Sequence, residues 1–550
     1  MKRAIFFLLF AVNSVFALET PFNHGVNITE WFQSPSVGQV QFTKYTKQDL
    51  INIKNLGCDV VRLPINLHAM TGGSPDYIVD PLLFTFLDQV VDWAEELHLY
   101  IILDNHSFDN DANTPINVGN ELIPIWAQMA NHYKNRSKYV CYEILNEPHG
   151  ISDQVWGNIQ GTVIDTIRAF DTFHSIIVGP ANRNSYNNLD ALPWYSDDNL
   201  IYTFHFYDPY VFTHQGADWT NPSLKSLTGV PFPYLWNKSV LPELPQELKG
   251  TWVELAYGIY DSDGTIMNMY ELINKAADFK EARHAPVFCG EFGTYREKAI
   301  DAHRDMWYFL VRMLFDTYKI SWTTWDYKGG FGLFEKDSFE LYDYDLNVSL
   351  VKLLGFQAPE QFEYWLLPDL TGFDIYTDYV GQNIVDSSVL GSGKYNFYSD
   401  NAPAYGDYCL HFTDVPQYAK LSLRFVPTKD LSVLAASNYG VDLYVRSNTP
   451  GTKFVIRFMD TKTDSPYDHP WRKIYTIDNN VATWDGNWNH VYIPLNSFIE
   501  QGSFDNGQWY DPVGAFDWHA VDRFEIVAEY GDLNGNDLYF DNIRIVSPIP

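Results

Sequence analysis

Cysteine is scarce in this chain: four residues, Cys58, Cys141, Cys289 and Cys409, among 550. No two stand in a Cys-x-x-Cys spacing, which removes the commonest zinc and redox motifs. Three sit in apolar runs ("GCDVVRL", "YVCYEIL", "VFCGEF"), where a thiol serves as a small buried hydrophobe. Positive charge is also short, with 37 Lys and Arg against 69 Asp and Glu and a net charge of −32, so no nucleic acid or anionic membrane is expected as a partner. The acidity reads as solubility. No Gly-rich phosphate turn follows an early strand, which argues against a doubly wound nucleotide-binding sheet. Beyond the N-terminus, no stretch supplies the roughly 18 uninterrupted apolar residues of a membrane span.

The N-terminus itself, "MKRAIFFLLFAVNSVFALE", has a basic start at Lys2 and Arg3, an apolar run and a small-residue site at Val15-Phe16-Ala17. This predicts a signal peptide over residues 1–17 and a secreted protein, extracellular, periplasmic or at the cell surface. Sequons such as Asn27-Ile28-Thr29 matter only in a host that glycosylates.

The remaining length fits two domains. From about Phe22 to Phe356, β-branched or aromatic runs alternate with helical segments. "PFNHGVNI", "DVVRLPIN", "LYIILDNH", "YVCYEILNEP", "SIIVGPAN", "LIYTFHFY", "APVFCGEFG" and "ISWTTWDYK" give eight strands. Helices are expected over Thr46 to Leu56, Pro81 to Leu97, Leu122 to Lys134, Ile159 to Phe173 and Thr265 to Ala282. Apolar strands joined by helices imply a parallel sheet covered on both faces, and this rhythm predicts an α/β fold, a (β/α)8 TIM barrel, over 18–357. The stretch between Tyr207 and Ala285 carries Trp219, Tyr234 and Trp236 and is read as an ordered cleft wall. Residues 358–371 connect to 372–550, where short alternating strands such as "LSLRFV", "VDLYVRS", "KFVIRFMD" and "LYFDNIRIV" predict an all-β, jelly-roll-like sandwich. With no Pro/Thr-rich or Gly/Ser-rich linker, the two domains are expected to pack directly.

Catalytic groups of a parallel barrel gather at the C-terminal ends of its strands. Here those ends supply Arg62, Asp104 with His106, Asn146 with Glu147, His205 with Tyr207, Glu291 and Trp325. Two carboxylates on one rim suit glycoside hydrolysis, which needs an acid at the leaving oxygen and a carboxylate for the oxocarbenium-like centre. Asp104 and His106 keep a metal site open as an alternative.

Arg62, His106, Asn146, Glu147, His205, Tyr207, Glu291 and Trp325, in this order and at strand ends, resemble glycoside hydrolase family 5, the cellulase family of the retaining (β/α)8 clan. The resemblance implies Glu291 as nucleophile and Glu147 as general acid and then base. It implies Arg62 and Tyr207 as supports of Glu291, Asn146 as a 2-hydroxyl contact, His106 and His205 as sugar contacts and Trp325 as a stacking platform. Trp31, His149, His214 and Trp219 are further candidates for the cleft. The expected activity is that of an endo-β-1,4-glucanase on a β-glucan polysaccharide, needing no cofactor and acting as a monomer. β-Mannanase, xyloglucanase and mixed-linkage β-glucanase share the mechanism. A carbohydrate-binding protein with an inactive barrel is the alternative of a different class, and the intact pair of Glu147 and Glu291 argues against it. The C-terminal sandwich resembles carbohydrate-binding modules; Trp471, Trp484, Trp488 and Trp509 are its candidate stacking residues, and Asp532, Asn534 and Asp541 could hold a structural Ca²⁺.

Overall fold

The computed structural model describes residues 19–548 apart from 109–112, 237, 389–392, 464 and 466; the expected signal peptide lies outside the described residues. Eight parallel strands close into a barrel in chain order: β1 (His24–Asn27), β2 (Val60–Ile65), β3 (Tyr100–Asn105), β4 (Val140–Glu143), β5 (Ser175–Val178), β6 (Leu200–Phe206), β7 (Val287–Phe292) and β8 (Ser321–Thr324). Helices pack outside, among them Lys47–Asn55, Pro81–Glu96, Gly119–Tyr133, Asp153–Arg168, Ile266–Arg283 and Asp301–Tyr318. Their starts follow local chemistry. Thr46 and Asp49 form a reciprocal capping box, and Asp80 accepts from Leu82 N with Pro81 in the first turn.

The interior of the barrel changes character along its axis. Side chains alternate across each strand, so Val60 and Arg62, Ile102 and Asp104, and Cys141 and Glu143 share the inward face. At the N-terminal end the inward set is apolar: Phe22, Val60, Tyr100, Ile102, Cys141, Ile177, Ile201 and Phe288 pack as one cluster. Toward the C-terminal end it becomes charged, with Arg62, Asp104 and Glu143 all buried. One wall is irregular. Phe204 pairs with Cys289, but His205 pairs with Glu291, so a bulge at Gly290 brings His205 and Glu291 side by side.

The C-terminal region is two antiparallel sheets of seven and six strands. The predicted strands are present, including Lys420–Lys429, Gly440–Arg446, Phe454–Asp460, Asn489–Pro494, Val521–Val527 and Leu538–Val546. Strands at Phe373–Tyr376, Lys394–Ser399 and Arg472–Ile477 were not predicted, since their mixed polar and aromatic sequences lack clean alternation. The two domains touch directly through the segment after β1, where Tyr398 Oη donates to Val40 O at 2.6 Å. All four cysteines are buried and free. Among the described residues no helix is long and apolar enough to cross a membrane.

Candidate active site

Arg62 organises the charged end of the barrel. It is fully buried, and its guanidinium donates five hydrogen bonds to four groups. Nε and Nη2 reach Glu143 at 2.7 and 2.9 Å. Nη1 reaches Asn27 Oδ1 at 3.0 Å and Glu291 Oε1 at 2.8 Å. Nη2 also reaches Asn146 Oδ1 at 2.8 Å and lies 2.9 Å from Asp104. One cation thus faces three carboxylates. Burial raises the pKa of Glu143, and Arg62 only partly offsets it. Burial likewise pushes Asp104 up to about 7. The fixed fork of Arg62 aims one Glu291 oxygen, and the phenol of Tyr207 donates to the other at 3.0 Å.

Glu147 comes from the turn after β4. Its backbone is left-handed at φ 44°, a conformation rare for a side-chain-bearing residue and characteristic of functional turns. His205 lies between the two carboxylates, 2.7 Å from Glu147 Oε1 and 3.5 Å from Glu291 Oε2. Oxygens of Glu147 and Glu291 and a nitrogen of His205 all lie within 4.8 Å of one another. Asn184 Nδ2 faces His205 Nε2 at 3.3 Å. An amide N–H there makes Nε2 the acceptor and leaves the imidazole proton on Nδ1, directed at Glu147. Burial lowers the pKa of His205 to about 4, which keeps the ring neutral. Burial raises the pKa of Glu147, with His106 and Arg183 pulling the other way.

His106 is held by Asp104, 2.8 Å from its Nδ1, while its Nε2 lies 3.3 Å from Asn146 Nδ2. Burial lowers its pKa to about 4. Its ring stacks on Trp325, centroids 5.6 Å apart. The eight strand-end residues are therefore one connected constellation.

The further candidates divide. His149 is buried, with Nδ1 on Glu147 O at 2.8 Å and Nε2 unpartnered. His214 stacks on Tyr210 at 3.8 Å and meets Tyr207 edge-on at 5.1 Å, forming the wall behind that phenol. Trp219 is half exposed and packs edge-on against Tyr295. Trp31 is 2% exposed; its Nε1 donates to Phe42 O and its ring packs on Phe32, Phe42 and Tyr45, and it also lines a cavity between the barrel and the sandwich. In the sandwich, Trp471 and Trp484 are buried core, whereas Trp509 is 42% exposed over Arg472. Trp488 lies under Arg446, 4.8 Å from its guanidinium. Asp532 and Asp541 are engaged separately, Asp532 by Gln417 N and Asp541 by Ala404 N and Tyr405 N, and Asn534 is exposed between them.

Sequence reasoning missed three contributors. Glu143 was hidden inside an apolar run. Asn27 looked like a sequon but is fully buried, its amide donating to Gly290 O and Thr324 O, which removes it as a glycan acceptor. Asn182, Arg183 and Asn184 form three successive left-handed residues after β5, and Arg183 N donates to Pro148 O at 3.0 Å. No local signal marks such a turn; only the strand-end rule points to it.

Known proteins share this organisation. The model of the cellulase family, glycosyl hydrolase family 5, matches residues 21–330, and that of carbohydrate binding domain 30 matches 388–547. Endoglucanase 3 of Fibrobacter succinogenes is 29% identical over 57% of this chain, which spans half of that protein's length. Endoglucanase C of Acetivibrio thermocellus is 26% identical over 61% of this chain and 98% of its own. The solved structure of endoglucanase Cel5A from Thermotoga maritima superposes with a TM-score of 0.51 at 25% identity, over 60% of this chain and 96% of that one. The family model alone accounts for more than half of the chain, on the same strands that carry the carboxylates, and the chain belongs to glycosyl hydrolase family 5.

Proposed function

We propose that the protein is a secreted endo-β-1,4-glucanase that cleaves internal glucosidic bonds with retention of anomeric configuration. The observation that carries this reading is the gap between Glu147 and Glu291, whose oxygens lie within 4.8 Å. Retaining pairs stand about 5–5.5 Å apart, whereas an inverting pair needs roughly 6.5–9.5 Å to admit a water.

The carboxylate of Glu291 attacks the anomeric carbon. The bond to the leaving sugar breaks as the proton of Glu147 passes to its oxygen. Burial keeps that proton on Glu147 at the start. Esterification then removes the Glu291 charge, and ionised Glu147 takes a proton from a water whose oxygen displaces Glu291. Arg62 and Tyr207 hold the departing carboxylate, and Asn146 is available to the 2-hydroxyl, a contact that strengthens in the transition state. Trp325, stacked on His106, offers an apolar face to the sugar ring. The sandwich, in this reading, binds the same polysaccharide. No cofactor takes part.

Mannan is the second substrate to test, because a neighbouring structure, 25% identical, is described as Thermotoga maritima Cel5A in complex with mannotriose. Side-by-side product analysis on cellulose, lichenan, xyloglucan and mannan, with NMR of the fresh products, tests both parts. β-Anomers from cellulose are expected; α-anomers would overturn retention, and release from mannan alone would overturn the glucanase reading.

A further inference from the structure

The barrel and the sandwich are clasped along the segment that follows β1. The amide of buried Gln41 uses both ends, Nε2 donating to Ile384 O at 2.5 Å and Oε1 accepting from Asp386 N at 2.8 Å. Thr43 Oγ1 donates to Val380 O at 2.7 Å, and Tyr398 Oη accepts from Phe42 N at 3.1 Å. A Cβ added to Gly38 would lie 2.5 Å from Asn396 Oδ1, so the two surfaces are in close contact. Beside this seam runs a groove of about 700 Å³, within the size range of ligand sites. Gln33, Ser34, Gln39 and Lys44 line it from the barrel, Asp386 and Tyr395 from the sandwich.

Two observations tie the groove to the polysaccharide. The first is continuity with the catalytic rim. Thr29 Oγ1 donates to Asp326, the neighbour of Trp325, at 2.8 Å. Phe32 pairs with Ile65 at the end of β2, and Asn66 Nδ2 donates to Ser34 O. The barrel wall of the groove is therefore the rim over β8, β1 and β2, on the side of Trp325. Glu147 and His205 stand on the arc of β4 to β6. The leaving sugar belongs with Glu147 and the attacked sugar with Glu291 and Trp325, so the groove extends the attacked, non-reducing side. The second is lining chemistry. Among the described residues, amides, two hydroxyls, an ammonium, two carboxylates and a phenol line the groove, with Trp31 and Pro35 as its apolar part. That suits sugar hydroxyls and a ring face, not an apolar peptide.

We propose that the junction groove is a composite glycan subsite, built by both domains, that holds the non-reducing-side stretch of the same β-glucan chain being cleaved in the barrel. The proposal rests on the glycanase reading above. The sandwich then selects where a chain is cut, because its part of the site is fixed relative to Glu291.

The test uses the full chain and β-1,4-glucan oligosaccharides of increasing length, each carrying an aryl tag at the reducing end. Gln33→Ala and Tyr395→Ala change the groove from opposite domains. In each variant the ratio of kcat/KM on long to short oligosaccharides is expected to fall about tenfold, the equivalent of roughly 1.4 kcal/mol of lost contact. The preferred cut should move away from the tag, since longer non-reducing-side fragments are no longer held. An unchanged ratio and cutting position in both variants, or equal losses on short and long chains, would overturn the proposal. Failure of the wild-type chain to cleave even the shortest aryl glycoside would instead sink the hydrolase reading beneath it.

Discussion

Each domain buries an arginine among carboxylates, and the two clusters are opposites. In the barrel one guanidinium, Arg62, faces Asp104, Glu143 and Glu291. In the sandwich one carboxylate, Glu525, faces two cations, Arg457 at 2.5 Å and Lys420 at 3.0 Å. Burial disfavours ionisation in both places. Around the shared cation burial outweighs Arg62 at two of the acids, raising Glu143 and pushing Asp104 up to about 7. Two cations around one acid do overcome it, and Glu525 falls to about 2 despite its burial. The barrel cluster holds negative charge that is incompletely compensated, poised against a positive reaction centre. The sandwich cluster is closed upon itself and serves the fold. Burial of charge alone does not mark a functional site; the balance of signs does.

The sharpest way to break this contrast is substitution. Glu291→Gln should reduce turnover of polymer and of aryl glycosides alike, by about 10⁴-fold or more, with little change in melting temperature. Glu147→Gln should cost about 10²–10⁴-fold on polymer and far less on an aryl glycoside whose leaving group needs no protonation. Equal losses on both substrates would contradict the roles assigned. Glu525→Gln should do the converse. It strands two cations in the sandwich and should destabilise the chain by about 3 kcal/mol in denaturant titrations. An aryl-glycosidase loss comparable with that of Glu291→Gln would erase the distinction.

Acidity sharpens the comparison further. Glu525 has a depressed pKa, so its stabilisation is complete above about 4.5 and is lost as pH falls toward about 2, on the order of 3 kcal/mol in all. Asp104 has a raised one. Its unfolded form ionises from about 3.8 while its folded form holds the proton to about 7, so it withdraws stability as pH rises through that window. Melting temperatures of Glu525→Gln and Asp104→Asn, followed against pH, should therefore diverge from wild type with opposite slopes, the first mainly between about 2 and 4.5 and the second between about 3.8 and 7. The smallest effect is expected from Asn184→Ala, which frees the far side of His205. Polymer turnover should drop by less than about tenfold, with the alkaline limb of the pH profile displaced. An unmoved limb would leave Asn184 with packing alone.

Much of this was legible in the sequence because parallel strands write their polar residues at their ends. Glu147, His205, Glu291 and Trp325 fall at or just past the ends of apolar runs, and Arg62, inside β2, points inward to meet them. Glu143 was not legible, because a charged residue flanked by Tyr142 and Ile144 looks like an interruption of a strand rather than its inward face. Trp31 shows a different limit. Its ring packs among Phe32, Phe42 and Tyr45 of the barrel, and the loop that carries it is clasped to the sandwich through contacts more than 300 residues apart, such as Gln41 with Ile384, which no local pattern encodes. In the sandwich, a strand such as Lys394–Ser399, mixed in Tyr, Asn and Lys, was invisible because its core-facing alternation is broken.

The bulge at Gly290 has a consequence for how such a site can arise. In an evenly paired wall, Phe206 rather than His205 would stand opposite Glu291, and the nucleophile would point out of the barrel into the helices. A Cβ at residue 290 would sit 3.0 Å from Thr203 Oγ1 and 3.1 Å from His205 Nε2, so any larger residue there would press on the histidine between the two carboxylates. No exchange of side chains on a regular barrel could therefore create this pairing: it takes a change in the number of residues, one unit longer in one strand than in its neighbour.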